Sequence, residues 1–272
     1  MKKLISLLFL FFSISSFASV AAVEVEALLQ LYQATNGANW KHKWNLAAPI
    51  STWYGVRLEG DKVVSINLSS NNLTGSLPTA IGDFVALKEL NLSANHISGG
   101  FPKAIGGLGA LEKLNLAKNN LKGAIPSTIG NLKFLIDLDL SMNHLNGVLP
   151  AEIGKLGRLE SLSVCNNELE GQIPFSLYAV HSLKVVLLNG NKFNGVLHSD
   201  IAKLNDLERL SLYDNELNGL IPKGLESLKK LRELNISYKQ FNGPVSQYLM
   251  SKDALNLIML TSKGKIVLLR PI

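Results

Sequence analysis

The sequence contains a single cysteine, Cys165, among 272 residues. One cysteine cannot form an intramolecular disulfide, so the fold depends on packing and hydrogen bonds in whatever compartment it occupies. Metal sites of the Cys/His type are excluded as well. Neither a disulfide framework nor a zinc module is therefore expected to hold this protein together.

The excess of positive over negative charge is also small. Lys and Arg total 27 against 21 Asp and Glu, which gives a net charge of +6, and no run of basic residues forms a stripe. A nucleic-acid-binding surface needs clustered basic residues, so no nucleic-acid partner is predicted. With 47% hydrophobic and 18% charged residues, the chain can bury a sizeable core.

Long apolar runs are confined to the N-terminus. Two lysines precede an apolar stretch from Leu4 to Phe17, and small residues follow it. This pattern is typical of a signal peptide over residues 1–22, with cleavage after Ala18 or Ala22. It predicts a secreted or periplasmic protein, or a membrane-anchored one if the segment is not cleaved. Further along the chain, charges interrupt the apolar residues, so no membrane span is expected after cleavage.

The most abundant feature of the sequence is a frame of 24 residues. The template LxxLxLxxNxLxGxIPxxIGxLxx runs over residues 63–254 without insertion or deletion. Its eight copies begin at Val63, Leu87, Leu111, Leu135, Leu159, Leu183, Leu207 and Leu231. A constant period of this length predicts a solenoid of stacked coils.

The constant positions of the repeat have physical reasons. The LxLxx segment predicts a short strand with one buried face, and such strands stack side by side in parallel. The asparagine that follows is expected to satisfy its buried amide on neighbouring backbone. These asparagines are Asn71, Asn95, Asn119, Asn143, Asn167, Asn191 and Asn215, and Lys239 replaces the next one. Glycines from Gly75 to Gly243 indicate a backbone that does not tolerate a side chain, and prolines then end regular hydrogen bonding, with His198 and Ser246 as exceptions.

The LxGxIP insert resembles the plant-type leucine-rich repeats of receptor kinases and polygalacturonase-inhibiting proteins, over residues 63 to about 254. The resemblance implies an α/β solenoid, a right-handed leucine-rich repeat superhelix with a parallel β-sheet on its concave face. It also implies a second short strand in each repeat. The scaffold says almost nothing about the ligand, because it serves unrelated partners.

Residues 23–62 are predicted to cap the solenoid, and they hold all three tryptophans: Trp40, Trp44 and Trp53. Apolar residues at helical spacing predict a helix ending near Asn36, followed by a first strand in WYGVRL. The segment resembles the N-terminal cap of the same repeat family. Plant members have cysteines at the positions of Ser51 and Leu58. Without them the segment resembles the cysteine-free cap of bacterial secreted repeat proteins. We interpret the tryptophans as the core of the cap, and a carbohydrate-stacking platform is the alternative.

At the other end, residues 255–272 contain a predicted ninth strand and a C-terminal cap. The stretch LNLIMLTSKGKIVLLRPI predicts two strands joined by a Ser-Lys-Gly-Lys turn. We interpret it as a cover for the open edge of the sheet. The alternative is an edge that pairs with a partner chain.

Motifs for catalysis are not found in the sequence, which has no nucleophile elbow, phosphate loop or paired metal motif. His96 and His144 occupy the same repeat position two repeats apart, roughly 10 Å, which is too far for one metal ion. Asp137 and Asp139 share a strand face, but polar alternation already accounts for them. Cys165 is expected at the edge of the concave face as an ordinary, partly accessible residue. We predict no enzyme, no cofactor and no metal site.

The outward strand positions change along the chain. Early repeats present small polar residues such as Asn67 and Ser69, whereas later repeats present residue types that are enriched at protein interfaces. The predicted partner-binding residues are Asp137, Asp139, Met142, Leu187, Arg209, Tyr213, Asp214, Arg232 and Tyr238. The alternative is free variation at positions that do not pack.

The sequence thus predicts an exported, non-enzymatic binding protein that recognises a protein partner through its concave face. The alternative is a glycan or cell-wall binder, or an inhibitor of a polysaccharide-degrading enzyme by analogy with the plant relatives. Aromatic residues spaced along the sheet would favour a glycan, and only Tyr213 and Tyr238 qualify.

Overall fold

The computed structural model describes residues 20–236, 241–242, 246–252, 258–260 and 266–268. Within these ranges helix α1 (Ala22–Ala34) is followed by a stack of coils. Each complete coil contains a strand, a left-handed turn, a second strand and a 3-10 turn. The fold is the predicted leucine-rich repeat solenoid, in which one strand from each coil builds the concave sheet.

The concave sheet has nine strands, of which eight are parallel. They are β1 (Val56–Glu59), β2 (Lys62–Asn67), β4 (Glu89–Asn91), β6 (Lys113–Asn115), β8 (Asp137–Asp139), β10 (Ser161–Ser163), β12 (Val185–Leu187), β14 (Arg209–Ser211) and β16 (Glu233–Asn235). Each residue pairs with the residue 24 positions later, as Leu138 does with Leu162. Equivalent repeat positions therefore form straight rows across the sheet.

A second sheet of eight strands runs along the flank of the coils. Its strands are β3 (Thr74–Ser76), β5 (His96–Gly100), β7 (Asn120–Gly123), β9 (His144–Val148), β11 (Glu168–Gln172), β13 (Lys192–Val196), β15 (Glu216–Leu220) and β17 (Phe241–Asn242). These are the second strands that the resemblance to plant-type repeats implied. The backbone that connects the two sheets turns at the ladder asparagines.

A 3-10 turn follows the second strand and closes each coil. These turns are Thr79–Asp83, Lys103–Gly107, Ser127–Asn131, Ala151–Lys155, Phe175–Ala179, Ser199–Lys203 and Lys223–Ser227. A proline precedes each of them except Ser199–Lys203, where the His198 side chain accepts a hydrogen bond from the Asp200 N–H. This hydrogen bond to the imidazole thus takes the place of proline at the start of the turn.

The asparagine ladder forms as predicted. Asn119 Oδ1 accepts the Ile97 N–H at 3.0 Å, and Asn119 Nδ2 donates to the carbonyls of Leu92 at 3.0 Å and Leu116 at 3.1 Å. Leu92 belongs to the preceding repeat, so each amide bridges two coils. The same pattern recurs to Asn215. Buried amide groups satisfied in this way stabilise the stack, because an unpaired one would be costly.

Two positions of each of the first seven repeats have a left-handed backbone. The glycines from Gly75 to Gly219 have φ between 74° and 94°, which confirms that this position disfavours side chains. The eighth position is also left-handed, although it carries Met142 with φ 55° and Asp214 with φ 54°. The coil imposes this conformation even where the residue is not glycine.

The tryptophans of the N-terminal segment lie in the core. Trp40, Trp44 and Trp53 are no more than 5% exposed, and the Trp44 and Trp53 rings stack with centroids 4.7 Å apart. The alternative prediction of a carbohydrate-stacking platform is therefore wrong, because none of the three tryptophan rings has a face open to a sugar. Helix α1 ends before Asn36, whose φ of 59° turns the chain, and the predicted first strand is β1.

At the C-terminal end, helix α2 (Gln247–Met250) precedes two short strands, β18 (Ile258–Leu260) and β19 (Ile266–Leu268). The two strands pair with each other in antiparallel fashion and form a separate sheet. The predicted signal peptide lies almost wholly outside the described residues. Among the helices that are described, none has the length and apolar character needed to cross a membrane.

Candidate functional site

The register of the concave strands decides which side chains a ligand can reach. Leu210 and Leu212 are 1% and 2% exposed and point into the coil, whereas Arg209 is exposed and Tyr213 is half-buried on the outer face. This alternation confirms the predicted register. Ser211 also faces outward but is only 7% exposed, because it is small and lies between longer neighbours in adjacent strands.

The early strands present a short polar surface. Asn67, Asn91 and Asn115 occupy the fifth position of successive repeats and form one row. Each side-chain oxygen accepts the backbone N–H two residues later, at 3.2, 3.1 and 3.0 Å respectively. These amides are engaged in local turns. Their oxygens are therefore partly occupied before any ligand arrives.

On β8, Asp139 continues this row at the fifth position, and Asp137 lies at the third position next to Lys113 of the preceding strand. Asp139 Oδ1 accepts the Ser141 N–H at 3.0 Å, so this carboxylate makes the same local hydrogen bond as the earlier asparagines. Asp137 lies in register between Lys113 and Ser161. Burial raises the pKa of Asp137, while a hydrogen bond with Ser161 and the charge of Lys113 oppose that shift. Asp137 and Asp139 thus both interact with neighbouring groups of the sheet.

The late strands differ chiefly in side-chain size at the seventh position, where Tyr213 stands in place of Ser69, Ser93 and Ala117. Charged side chains also occur on the early strands, where Lys88 Nζ pairs with Glu59 Oε2 at 2.8 Å. Arg209 Nε contacts Glu233 Oε2 at 2.7 Å, so a guanidinium and a carboxylate lie side by side on β14 and β16. Tyr213 follows β14, and its carbonyl accepts the Gly190 N–H at 3.0 Å, which fixes the backbone beneath the ring. Asp214 is exposed beside it. An aromatic ring and two ion-paired groups therefore share one rigid platform.

A row of alternating charge borders this platform at the second repeat position. It consists of Glu160, Lys184, Glu208 and Arg232. Lys184 Nζ contacts Glu160 Oε2 at 2.7 Å, and Arg232 Nη1 lies 3.9 Å from Glu208 Oε2. The hydrogen bond to Glu160 raises the pKa of Lys184, which stays protonated. Of these four, the sequence prediction included only Arg232. Charges of opposite sign spaced 24 residues apart were the signal that could have identified the others.

The predicted site residues do not form one cluster. Leu187 on β12 pairs with Ser211 on β14, which brings it next to the Arg209 and Tyr213 platform. Met142 is 48% exposed but lies after β8, three strands from β14, which is roughly 14 Å at ordinary strand spacing. Repeat four and repeats six to eight are therefore separate parts of the face. Tyr238 lies outside the described residues.

The histidines and the cysteine lie apart from this platform. His96 and His144 are on β5 and β9 of the flanking sheet with β7 between them, and His144 Nδ1 is 3.8 Å from Glu168 Oε1. In the described ranges, no group of three His, Cys, Asp or Glu residues could hold a metal ion. Cys165 is partly exposed, as predicted, and its Sγ lies 3.6 Å from Ser163 Oγ.

The rows, the ladder and the two sheets are those of a leucine-rich repeat solenoid, and the comparisons with known proteins agree with this fold. A leucine rich repeat family profile matches residues 61–121 and 109–169, and a second one matches residues 206–228. A probable leucine-rich repeat receptor-like serine/threonine-protein kinase of Arabidopsis thaliana is 36% identical over 73 residues. The chain therefore carries leucine-rich repeats, and they are similar in sequence to part of a plant receptor-like kinase.

Solved ectodomains show the same likeness over most of the chain. The ectodomain of GASSHO1/SCHENGEN3 from Arabidopsis thaliana, in complex with CASPARIAN STRIP INTEGRITY FACTOR 2, superimposes on 88% of the chain with a TM-score of 0.80 and 28% identity. The ectodomain of the Arabidopsis receptor kinase HAESA, in complex with an IDA peptide hormone, covers 87% with a TM-score of 0.76 and 29% identity. The chain spans only 30% and 40% of these two ectodomains and 12% of the curated kinase.

Proposed function

We propose that this protein is an exported, non-enzymatic binding protein that recognises a protein partner through the concave face of repeats six to eight. The observation that carries the proposal is the change in outward chemistry along one sheet. At the seventh position Tyr213 replaces the small residues Ser69, Ser93 and Ala117 of the early repeats, and Arg209 lies beside it in an ion pair with Glu233. Arginine and tyrosine are enriched among residues that dominate binding energy at protein interfaces.

The rigidity of the platform supports the same function. Parallel strands hold the backbone beneath Arg209, and ladder asparagines hold the turn beneath Tyr213. The platform does not have to become ordered when a partner docks on it. Preorganisation of this kind favours affinity. The alternating charge row of Glu160, Lys184, Glu208 and Arg232 would favour a partner with matching charges.

The relatives support a protein ligand over a glycan. The HAESA ectodomain was solved in complex with an IDA peptide hormone, and the GASSHO1/SCHENGEN3 ectodomain with CASPARIAN STRIP INTEGRITY FACTOR 2. Among the described outward positions of the repeat strands, Tyr213 is the sole aromatic residue, so there is no row of rings on which a glycan chain could stack. Export is supported by the sequence of residues 1–22 and by the likeness to ectodomains.

The binding proposal is tested with the double variant Arg209→Ala/Tyr213→Ala. Both side chains lie on the outer face, so the fold should be retained. Wild-type and variant proteins are used as bait in the native envelope fraction and culture medium, and retained proteins are quantified by mass spectrometry. We expect a specific partner to bind the variant at least about 30-fold more weakly, because central anchors each contribute about 2 kcal/mol or more.

The matched control is Ser69→Ala/Ser93→Ala on the early strands, which should retain the partner. A partner that binds the late-face variant normally, and is lost instead when residues 262–272 are removed, would place the site at the C-terminal edge. Export is tested separately by N-terminal sequencing of the protein recovered from these fractions. A mature chain starting at Ser19 or Val23 is expected, whereas intact Met1 in a membrane pellet would show an anchored protein.

A further inference from the structure

The 3-10 turns on the side opposite the concave sheet are stacked too closely for side chains at one position. This position is glycine in the first four repeats: Gly82, Gly106, Gly130 and Gly154. A Cβ atom added to any of them would come within 2.4 to 2.7 Å of an atom in the next repeat, which is closer than real Cβ contacts allow. Glycine is therefore required where the facing turn leaves no room. Repeats six and seven have Ala202 and Glu226 at this position, and the Ala202 Cβ lies opposite Gly224 of the next turn.

Repeat five has the largest residue at this position, Tyr178, whose side chain is buried at 2% exposure. A tyrosine at this position fits only if its turn and the next one separate. The turns Phe175–Ala179 and Ser199–Lys203 do pack less closely than the other neighbouring turns. The buried Tyr178 hydroxyl has no hydrogen bond of ordinary geometry within the described structure. The tyrosine thus acts as a wedge, and it leaves a polar atom poorly satisfied.

No hydroxyl tie joins these two turns, both of which lie within the described residues. In two repeats such a tie is present: Thr128 Oγ1 donates to the Lys103 carbonyl at 2.8 Å, and Ser176 Oγ donates to the Ala151 carbonyl at 2.6 Å. The equivalent residue in repeat six is Asp200, which has no hydroxyl. Repeats two, four and seven also lack a hydroxyl there, so the wider spacing at this point follows from Tyr178 rather than from a missing tie.

A cavity of about 120 Å³ opens at the break. Its walls include the rings of Phe175 and Tyr178, together with His181 and Asp200. Phe175 is 61% exposed, and its centroid lies 6.1 Å from that of Tyr178 and 5.0 Å from that of His198. Both contacts are edge-to-face. Three aromatic rings therefore converge beside the cavity.

The charges at the cavity already compensate each other. Lys203 Nζ contacts Asp200 Oδ2 at 2.6 Å and lies 5.9 Å from the Phe175 ring centroid. A cationic guest would have to displace Lys203, and an anionic guest would meet Asp200. A neutral aromatic guest needs neither change and can pack against the open Phe175 face.

The size of the cavity selects the kind of ligand. Sites for small molecules are usually about 300 to 1,000 Å³, so a cavity of about 120 Å³ suits one side chain rather than a metabolite or an oligosaccharide. Anchors at protein interfaces typically insert a single aromatic residue into such a pocket. We propose that the cavity between repeats five and six docks one aromatic side chain of a protein partner, at a site separate from the concave face.

The test is a titration of ¹⁵N-labelled protein with N-acetyl-phenylalanine amide, followed by amide chemical shifts. We expect shifts confined to residues 175–181 and 198–203. Phe175→Ser introduces the residue found at this position in the turns Ser127–Asn131 and Ser199–Lys203, and the exposed site should tolerate it. It should lower the affinity for the probe by at least about fivefold, because it removes one of the converging rings.

The matched control is Phe134→Ser. Phe134 is another exposed phenylalanine, 49% accessible, which packs under Arg158 and does not line the cavity, so this variant should leave the titration unchanged. Tyr178→Gly restores the regular repeat and should abolish the shifts by closing the gap, with an otherwise native spectrum. The proposal is overturned if the probe causes no local shifts, or if methyl glucoside or N-acetyl-leucine amide causes equal ones.

Discussion

The early and late strands of the concave sheet share one backbone and one interior but carry different outer surfaces. In both halves the leucines that point inward are buried and the ladder asparagines bond the preceding coil. Outward, Asn67 and Asn91 are short and engaged in local turns, whereas Arg209 and Tyr213 are large and lie beside charged neighbours. The interior is thus fixed by packing, and the outer rows are free to carry function.

This difference teaches where the repeat can tolerate change. A substitution inside the coil affects a position that every repeat needs, while one outside affects only what that repeat displays. The turns opposite the sheet show an intermediate case, because Tyr178 alters an inward position and changes the local spacing of two coils. Stability and recognition should therefore respond to different sets of mutations.

The largest effect is expected from Asn143→Leu, which breaks the interior that both halves share. Asn143 Nδ2 donates to the carbonyls of Leu116 and Leu140, and its Oδ1 accepts the Leu121 N–H at 3.0 Å. Leucine would leave these buried groups unpaired, at about 1 to 3 kcal/mol each. We expect a loss of about 3 kcal/mol or more, measured by urea unfolding.

The control for this change is Lys122→Ala, an exposed substitution on β7 that should alter stability by no more than about 0.5 kcal/mol. Equal unfolding midpoints for the two variants would show that the ladder does not stabilise the stack. A loss of stability without a change in partner binding per folded molecule would support the division between interior and outer face.

A smaller effect is expected at Met142, on the boundary between the two halves. Its backbone is left-handed with φ 55°, and its side chain is 48% exposed, so little packing is at stake. A β-branched residue tolerates this conformation poorly, and Met142→Val should cost about 1 to 2 kcal/mol. Met142→Gly should stay within about 0.5 kcal/mol, because relief of strain offsets the added flexibility of the unfolded chain. Thermal unfolding of both variants measures the difference, and equal losses would contradict it.

Much of the fold follows from the sequence, because the period fixes it. A frame of 24 residues places each leucine in the core, each asparagine beneath a turn and each strand in register with the next. Register also puts Arg209 and Tyr213 outward, since a slip by one residue would expose Leu210. The contacts within the site follow less directly. Arg209 pairs with Glu233 across strands, and this partner is apparent only when the rows are compared down the stack.

The cavity at Tyr178 could not be derived from the residue pattern alone. A tyrosine in place of glycine is visible in the sequence, but its consequence depends on the spacing of two turns and on the His198 and Asp200 side chains. The small exposure of Ser211 is similar, because it depends on the length of its neighbours in adjacent strands. Periodicity predicts positions, whereas exposure and cavities depend on the sizes of side chains that meet in space.

The smallest effect is expected from Asp137→Asn, which alters a charge where the early rows give way to the late ones. Burial raises the pKa of Asp137 in the folded protein, so its proton is held more tightly there than in the unfolded chain. Stability contributed by this group therefore falls as the pH rises from about 3.9, the unfolded value, through the raised folded pKa. Above that interval the ionised carboxylate is mildly destabilising.

Asparagine keeps an oxygen that can accept from Ser161 but removes the charge, so Asp137→Asn should be neutral or slightly stabilising at pH 7. Because the carboxyl is only partly buried, we expect a gain of no more than about 0.5 kcal/mol. At pH 3 the wild-type carboxyl is protonated in both states and the gain should disappear. Urea unfolding of both proteins at the two pH values measures this. A variant that is less stable at pH 7 but equal at pH 3 would show that the attraction of Lys113 for the carboxylate outweighs its burial, and that this row is already a charged surface.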